Sequence, residues 1–103
     1  MSAVVVLTTV GAGFDAAGLA KSLVEQRLAA CVNIVAVVRS IYAWNGGVED
    51  DREQLLVIKT TEEHVDALRE ALFARHPYEV PEFVVLPATA HGAYAEWLIA
   101  STS

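Results

Sequence analysis

The amino-acid sequence predicts an α+β fold in the order strand, helix, strand, strand, helix, strand, with one further helix at the C-terminus. Three observations carry this prediction. Apolar residues recur at helical spacing in two segments, and four others alternate or run as short β-branched stretches. One Asn-Gly-Gly turn near the middle joins two long alternating segments. The 103 residues contain no repeat, low-complexity tract or linker-like composition, so residues 1–103 are read as a single domain around one core.

Residues 4–10 are β-branched almost throughout and read as a strand buried on both faces. Gly11, Ala12 and Gly13 stop it. Asp15 then offers an N-cap oxygen, and Phe14 with Leu19 has the spacing of a hydrophobic staple. Leu19, Leu23, Val24 and Leu28 carry a helix to about Leu28. From Cys31 the period becomes two, which puts Val32, Ile34, Ala36, Val38, Ser40, Tyr42 and Trp44 on one face of a long strand. After Asn45-Gly46-Gly47, residues 48–59 return antiparallel, polar near the turn and apolar farther on. Thr60 and Glu63 have capping-box spacing, and Val65, Leu68 and Leu72 extend a second helix to about Arg75, ended by His76-Pro77. Residues 83–86, between Pro81 and Pro87, form a fourth strand, and Tyr94, Trp97 and Leu98 share one face of a short terminal helix. This order is the split βαβ, ferredoxin-like plan.

The long hairpin implies assembly. An arm of about 13 residues spans ~43 Å, whereas a helix of about 15 residues covers only ~22 Å. The overhang carries Ile41, Tyr42, Trp44 and Val48, and a bare two-stranded ribbon is marginal in water, so a second subunit is expected to clasp it. Composition agrees: 54% of residues are hydrophobic and only 19% charged, against about 25% charged in an average domain. The net charge of −6, with seven scattered Lys and Arg, argues against nucleic acid as a partner. Cys31 is the only cysteine, no basic n-region precedes the first apolar run, and that run is too short to span a bilayer. These features point to a cytoplasmic protein with no membrane partner.

Several segments resemble the CutA divalent-cation tolerance family: residues 25–33 (EQRLAACVN), 42–46 (YAWNG), 58–61 (IKTT) and 76–82 (HPYEVPE), followed by Tyr94 and Trp97-Leu98. The resemblance covers nearly the whole chain in order. It implies a ferredoxin-like protomer in a tight homotrimer, with hairpins packed around the three-fold axis and ligand clefts between subunits like those of PII signalling proteins. It implies a link to tolerance of copper and other divalent cations, and no catalytic reaction. Copper-binding members carry a cysteine where this chain has Thr8 and a His pair where it has Arg75-His76, so two of three soft ligands are replaced.

The candidate metal residues are His76, Glu79 and Glu82, in a Pro-bounded segment that also holds Tyr78. An imidazole with carboxylate oxygens suits Cu²⁺, Zn²⁺ or a similar divalent cation, weakly held and not required for folding. His76 equally suits a helix C-terminus, where the dipole favours a cation. Tyr42, Trp44, Tyr78 and Trp97 are assigned to the ligand cleft or the trimer interface. His64 and His91 stand alone and read as solvated. The acidic run Glu49, Asp50, Asp51 and Glu53 can collect hard cations or pair with Arg39 and Arg52. Gly11-Ala12-Gly13 can cradle an anion with backbone N–H groups. The reading is a non-enzymatic trimer that binds metal ions or a small ligand between subunits; the alternative is a phosphate-ester or acyl-phosphate hydrolase on the same fold.

Overall fold

A computed structural model describes residues 2–103. Its strands are β1 (Ala3–Gly11), β2 (Cys31–Trp44), β3 (Gly47–Thr61) and β4 (Val84–Pro87), and its α-helices are α1 (Ala16–Glu25), α2 (Val65–Arg75) and α3 (Gly92–Ser101). The strands form one antiparallel sheet in the order β2-β3-β1-β4. This is the expected ferredoxin-like arrangement. Leu19 and Leu23 of α1 and Leu68 and Leu72 of α2 join Val4, Val6, Val10, Leu56 and Ile58 of the sheet in the core, so both helices cover the same sheet face.

β1 departs from its expected burial. Its side chains alternate between buried and half-buried, with Val4, Val6, Thr8 and Val10 inward, so a single chain covers only one of its apolar faces. The start of α1 is as expected: Asp15 Oδ1 accepts from the Gly18 N–H at 3.0 Å, and a Cβ at position 18 would collide with that carboxylate. Its end comes three residues before Leu28. Arg27 takes a left-handed φ of 61°, the Leu28 N–H donates to the Leu23 carbonyl and the Arg27 N–H to the Val24 carbonyl. This is the Schellman pattern with arginine where glycine is usual.

The capping box at Thr60 does not form. β3 runs on through Thr61, Thr60 donates its hydroxyl to the Leu28 carbonyl, and a single 3₁₀ turn (Glu62–His64) leads into α2. His64, expected to be solvated, has its Nδ1 2.6 Å from the Thr61 hydroxyl. Pairing to β1 as far as Ala3↔Thr61 commits this stretch to the ladder instead. In α3 only Leu98 is buried; Tyr94 and Trp97 form an exposed tilted ring pair with centroids 5.3 Å apart.

The hairpin turns at Asn45 (φ 48°) and Gly46 (φ 79°), the two positive angles of a type I′ turn. It sets the longest dimension of the chain, 44 Å against 24 and 23 Å. One irregularity interrupts it. Register passes from Val35↔Leu55 to Val38↔Glu53, so β2 carries one extra residue there, a β-bulge. Because side chains alternate faces, the expected single face from Val32 to Trp44 is broken in two. Val32 and Ile34 pair with Ile58 and Leu56 on the helix side, whereas Val38, Ser40, Tyr42 and Trp44 lie on the opposite side with Glu53, Asp51 and Glu49.

Replacing Arg27 with glycine removes the cost of a left-handed arginine. Arg27→Gly is expected to raise unfolding stability by about 1 kcal/mol, less whatever the exposed bond from Arg27 to the Ser103 carbonyl contributes; urea denaturation measures it.

Candidate functional site

The bulge places Tyr42 and Trp44 on the sheet face that neither α1 nor α2 covers. There the Tyr42 O–H donates to Asp51 Oδ2 at 2.6 Å. A second phenol arrives from the segment after α2. β4 pairs with β1 only as far as Leu7↔Val84, leaving the far end of that β1 edge without a strand partner. Residues 76–82 pass this end, and the Tyr78 O–H donates to Glu53 Oε2 at 2.7 Å. Glu53 is only 7% exposed, so the bond lies largely out of water. Between the hairpin and this segment is a cleft of about 760 Å³, lined by Thr9, Tyr42, Trp44, Asp51, Glu53 and Tyr78, with Glu79 and Glu82 at its wall. Among the described residues, no Lys or Arg lines it.

His76 holds the segment in place. Its Nε2 lies 2.9 Å from the Thr9 carbonyl and its Nδ1 accepts the Tyr78 N–H at 3.1 Å, which assigns the neutral ring with its proton on Nε2. The rings of His76 and Tyr78 meet at 61° with centroids 5.0 Å apart. Burial lowers the His76 pKa, opposed by the Thr9 bond and the Glu53 charge. Both ring nitrogens are thus committed, and metal ligation through either would break a bond that shapes the cleft.

Of the expected ligand set, Glu79 and Glu82 wall the cleft, and among the described residues of one chain there is no group of three or more His, Cys, Asp or Glu that could hold a metal ion. Thr8 Oγ1 does stand 3.4 Å from His76 Nε2, so the chain brings together two positions that the family resemblance implied for copper ligands. A hydroxyl hydrogen-bonded to the ring stands there in place of a thiol, and these residues do not fit a copper ion.

Electrostatics set the character of the cleft. The hydrogen bond to Asp51 pushes Tyr42 up to about 12, and burial together with the Glu53 bond drives Tyr78 still higher, so both phenols stay protonated donors. Burial and the nearby Glu53 charge raise Glu82. Farther out, Arg39 and Asp50 form a bidentate pair at 2.9 and 2.6 Å, which lowers the Asp50 pKa. The acidic run is therefore divided by face: Asp50 meets Arg39, while Asp51 and Glu53 meet tyrosines. Arg52 takes no part in this pairing.

Trp97 does not line the cleft. In the loop after β1, the Phe14, Ala16 and Gly18 N–H groups bond to Gly11 O, Phe14 O and Asp15 Oδ1, while Gln54 donates to the Gly11 and Phe14 carbonyls. Sequence reasoning missed Asp51 and Glu53 as individual site residues. The available signal was their spacing of two, which sets both on one strand face.

The sequence pattern described as CutA1 divalent ion tolerance protein matches residues 4–101. The chain belongs to this family. It is 50% identical over 99 residues to the divalent-cation tolerance protein CutA of Thermus thermophilus, covering 95% of this chain and 96% of that one. It is 48% identical over 85 residues to the chloroplastic protein CutA of Arabidopsis thaliana, covering 82% of this chain but only 47% of the plant protein, about half its length. The solved structure of the divalent cation tolerance protein from Thermus thermophilus superposes with a TM-score of 0.92 at 48% identity, covering 98% of this chain and 99% of that one.

Two pH effects follow, of opposite sign. Neutral His76 is favoured in the folded state, so its contribution is complete above the ordinary value of 6.5 and is lost as pH falls towards the lowered folded value. His76→Asn is expected to flatten that slope in thermal melts. Glu82 has its folded pKa above 4.5, so its ionised form opposes folding at neutral pH and ceases to do so below 4.5. Glu82→Gln should raise Tm by about 1–2 °C at pH 7 and leave it unchanged at pH 4.

Proposed function

We propose that the protein is a non-enzymatic homotrimer that contributes to divalent-ion tolerance by taking cations into the cleft between its hairpin and residues 76–82, with a neighbouring subunit closing the open side. Glu53 carries this reading: a buried carboxylate whose hydrogen-bond partner is the Tyr78 phenol, in a cleft walled by further carboxylates. A cation beside a buried carboxylate is favourable, because each offsets the other's charge where water is scarce. Oxygen donors suit hard or borderline divalent ions held weakly, Zn²⁺ and Cu²⁺ included. Phosphoryl chemistry gains no support, since an acidic cleft without Lys or Arg in its lining repels the oxygens that such a reaction must hold.

Assembly is supported by what one chain leaves bare. Ile41 is 65% exposed and Val48 75% exposed, Trp44, Tyr94 and Trp97 are nearly half exposed, and β4 presents Val84, Val85 and Leu86 to solvent. Together with the uncovered face of β1, these side chains leave apolar surface for a neighbouring subunit to cover. The half-buried free thiol of Cys31 suits a reducing cytoplasm.

Sedimentation is expected to give the mass of three chains. Trp44→Ala should dissociate the assembly or destabilise it by about 3–5 kcal/mol, and a monomeric wild type would overturn the trimer. In calorimetry with Zn²⁺, Glu53→Gln is expected to weaken binding more than His76→Asn, which loosens the segment bearing Tyr78 but removes no ligand. The reverse pattern would return the metal site to His76.

A further inference from the structure

The geometry points to a small organic cation bearing ammonium groups as an occupant of the cleft, held between the carboxylates of Glu53 and Asp51 and the aromatic faces of Tyr42, Trp44 and Tyr78. The inference rests on the cation-binding reading of this cleft and names a ligand class for it.

Size is the first argument. A cavity of about 760 Å³ lies within the range of roughly 300–1,000 Å³ typical of small-molecule sites, and a bare metal ion leaves nearly all of it unfilled. Spacing is the second. Asp51 and Glu53 are two residues apart on one strand face, which separates them by about 7 Å along the strand. A phenol clamps one oxygen of each: Tyr42 on Asp51 Oδ2 and Tyr78 on Glu53 Oε2. Two carboxylates held apart in this way offer a single ion few bonds, in keeping with the lack of any three-ligand group among the described residues and with the weak metal binding proposed above. They do match two ammonium groups joined by a short carbon chain.

The lining supplies the third argument. Metal sites in this size range do not call for three aromatic rings, whereas ammonium groups are attracted to the faces of Trp and Tyr. Tyr42, Trp44 and Tyr78 all line the cleft, so their rings border the space a ligand would take. Glu53 is more than nine-tenths buried and has no cationic partner among the described residues, and Glu82 stands close enough to feel its charge. A cation entering here meets negative charge and π-faces and no competing Lys or Arg from the lining.

The test is calorimetry on the assembled protein with 1,4-diaminobutane, with uncharged 1,4-butanediol as control and Zn²⁺ in a parallel titration. Saturable binding of the diamine alone is expected, weakened about tenfold or more in Glu53→Gln and about fivefold in Trp44→Leu. Trp44→Phe, which keeps an aromatic face, should retain most of the affinity even if Trp44→Leu falls apart. Diamine binding no better than the diol, or unchanged in Glu53→Gln, overturns the inference. If Zn²⁺ still binds through Glu53 in that case, the cation-binding reading stands and only the ligand class is wrong; if neither cation binds, both fall.

Discussion

One extra residue in β2, between Val35 and Val38, governs the arrangement of the site. Up to Val35 the hairpin follows the core, with Val32 and Ile34 turned towards the helices. Beyond the bulge every side chain changes face, and Tyr42 and Trp44 arrive opposite the helices beside Asp51 and Glu53. Strand periodicity admits no intermediate outcome, since a shift of one residue inverts the whole pattern. Without the bulge, Tyr42 would face away from the Asp51 carboxylate it now holds.

The segment after α2 depends on a second local device. β4 is too short to pair with the far end of β1, and His76 takes the Thr9 carbonyl there while its other nitrogen receives the Tyr78 N–H. A neutral imidazole thereby joins a strand edge to an extended loop and aims a phenol at Glu53. The pairing of tyrosines with carboxylates leaves negative charge in the cleft undiminished, because the phenols remain protonated. An arginine in either place would have neutralised that charge.

The parts of the chain exposed in isolation have a common character. The hairpin tip, β4 and the Tyr94–Trp97 pair all present large apolar side chains, and the uncovered face of β1 adds its half-buried odd positions. The sequence marked this surface as buried in its apolar runs, most clearly in residues 4–10. Apolar periodicity reports burial without saying which chain provides the cover, which is why β1 reads as covered on both faces and is covered on one by its own chain.

Element order, the Asp15 cap, the Asn45-Gly46 turn and the length of the hairpin were determined by the sequence alone, because each rests on contacts between near neighbours or on a regular period. The family resemblance likewise rested on local motifs. The missed boundaries share a different cause. At Thr60 a strand partner outcompeted a helix cap, and at Arg27 the chain turned left-handed without glycine because the Schellman bonds and the return into β2 required it. His76 was legible as a site residue but not as the hinge of its segment, since its partners Thr8 and Thr9 lie 68 and 67 residues away. The cleft itself was decided only by tertiary structure: a bulge has no periodic signature, and the distance between a carboxylate on one strand and a phenol beyond a helix is set by packing across the sheet.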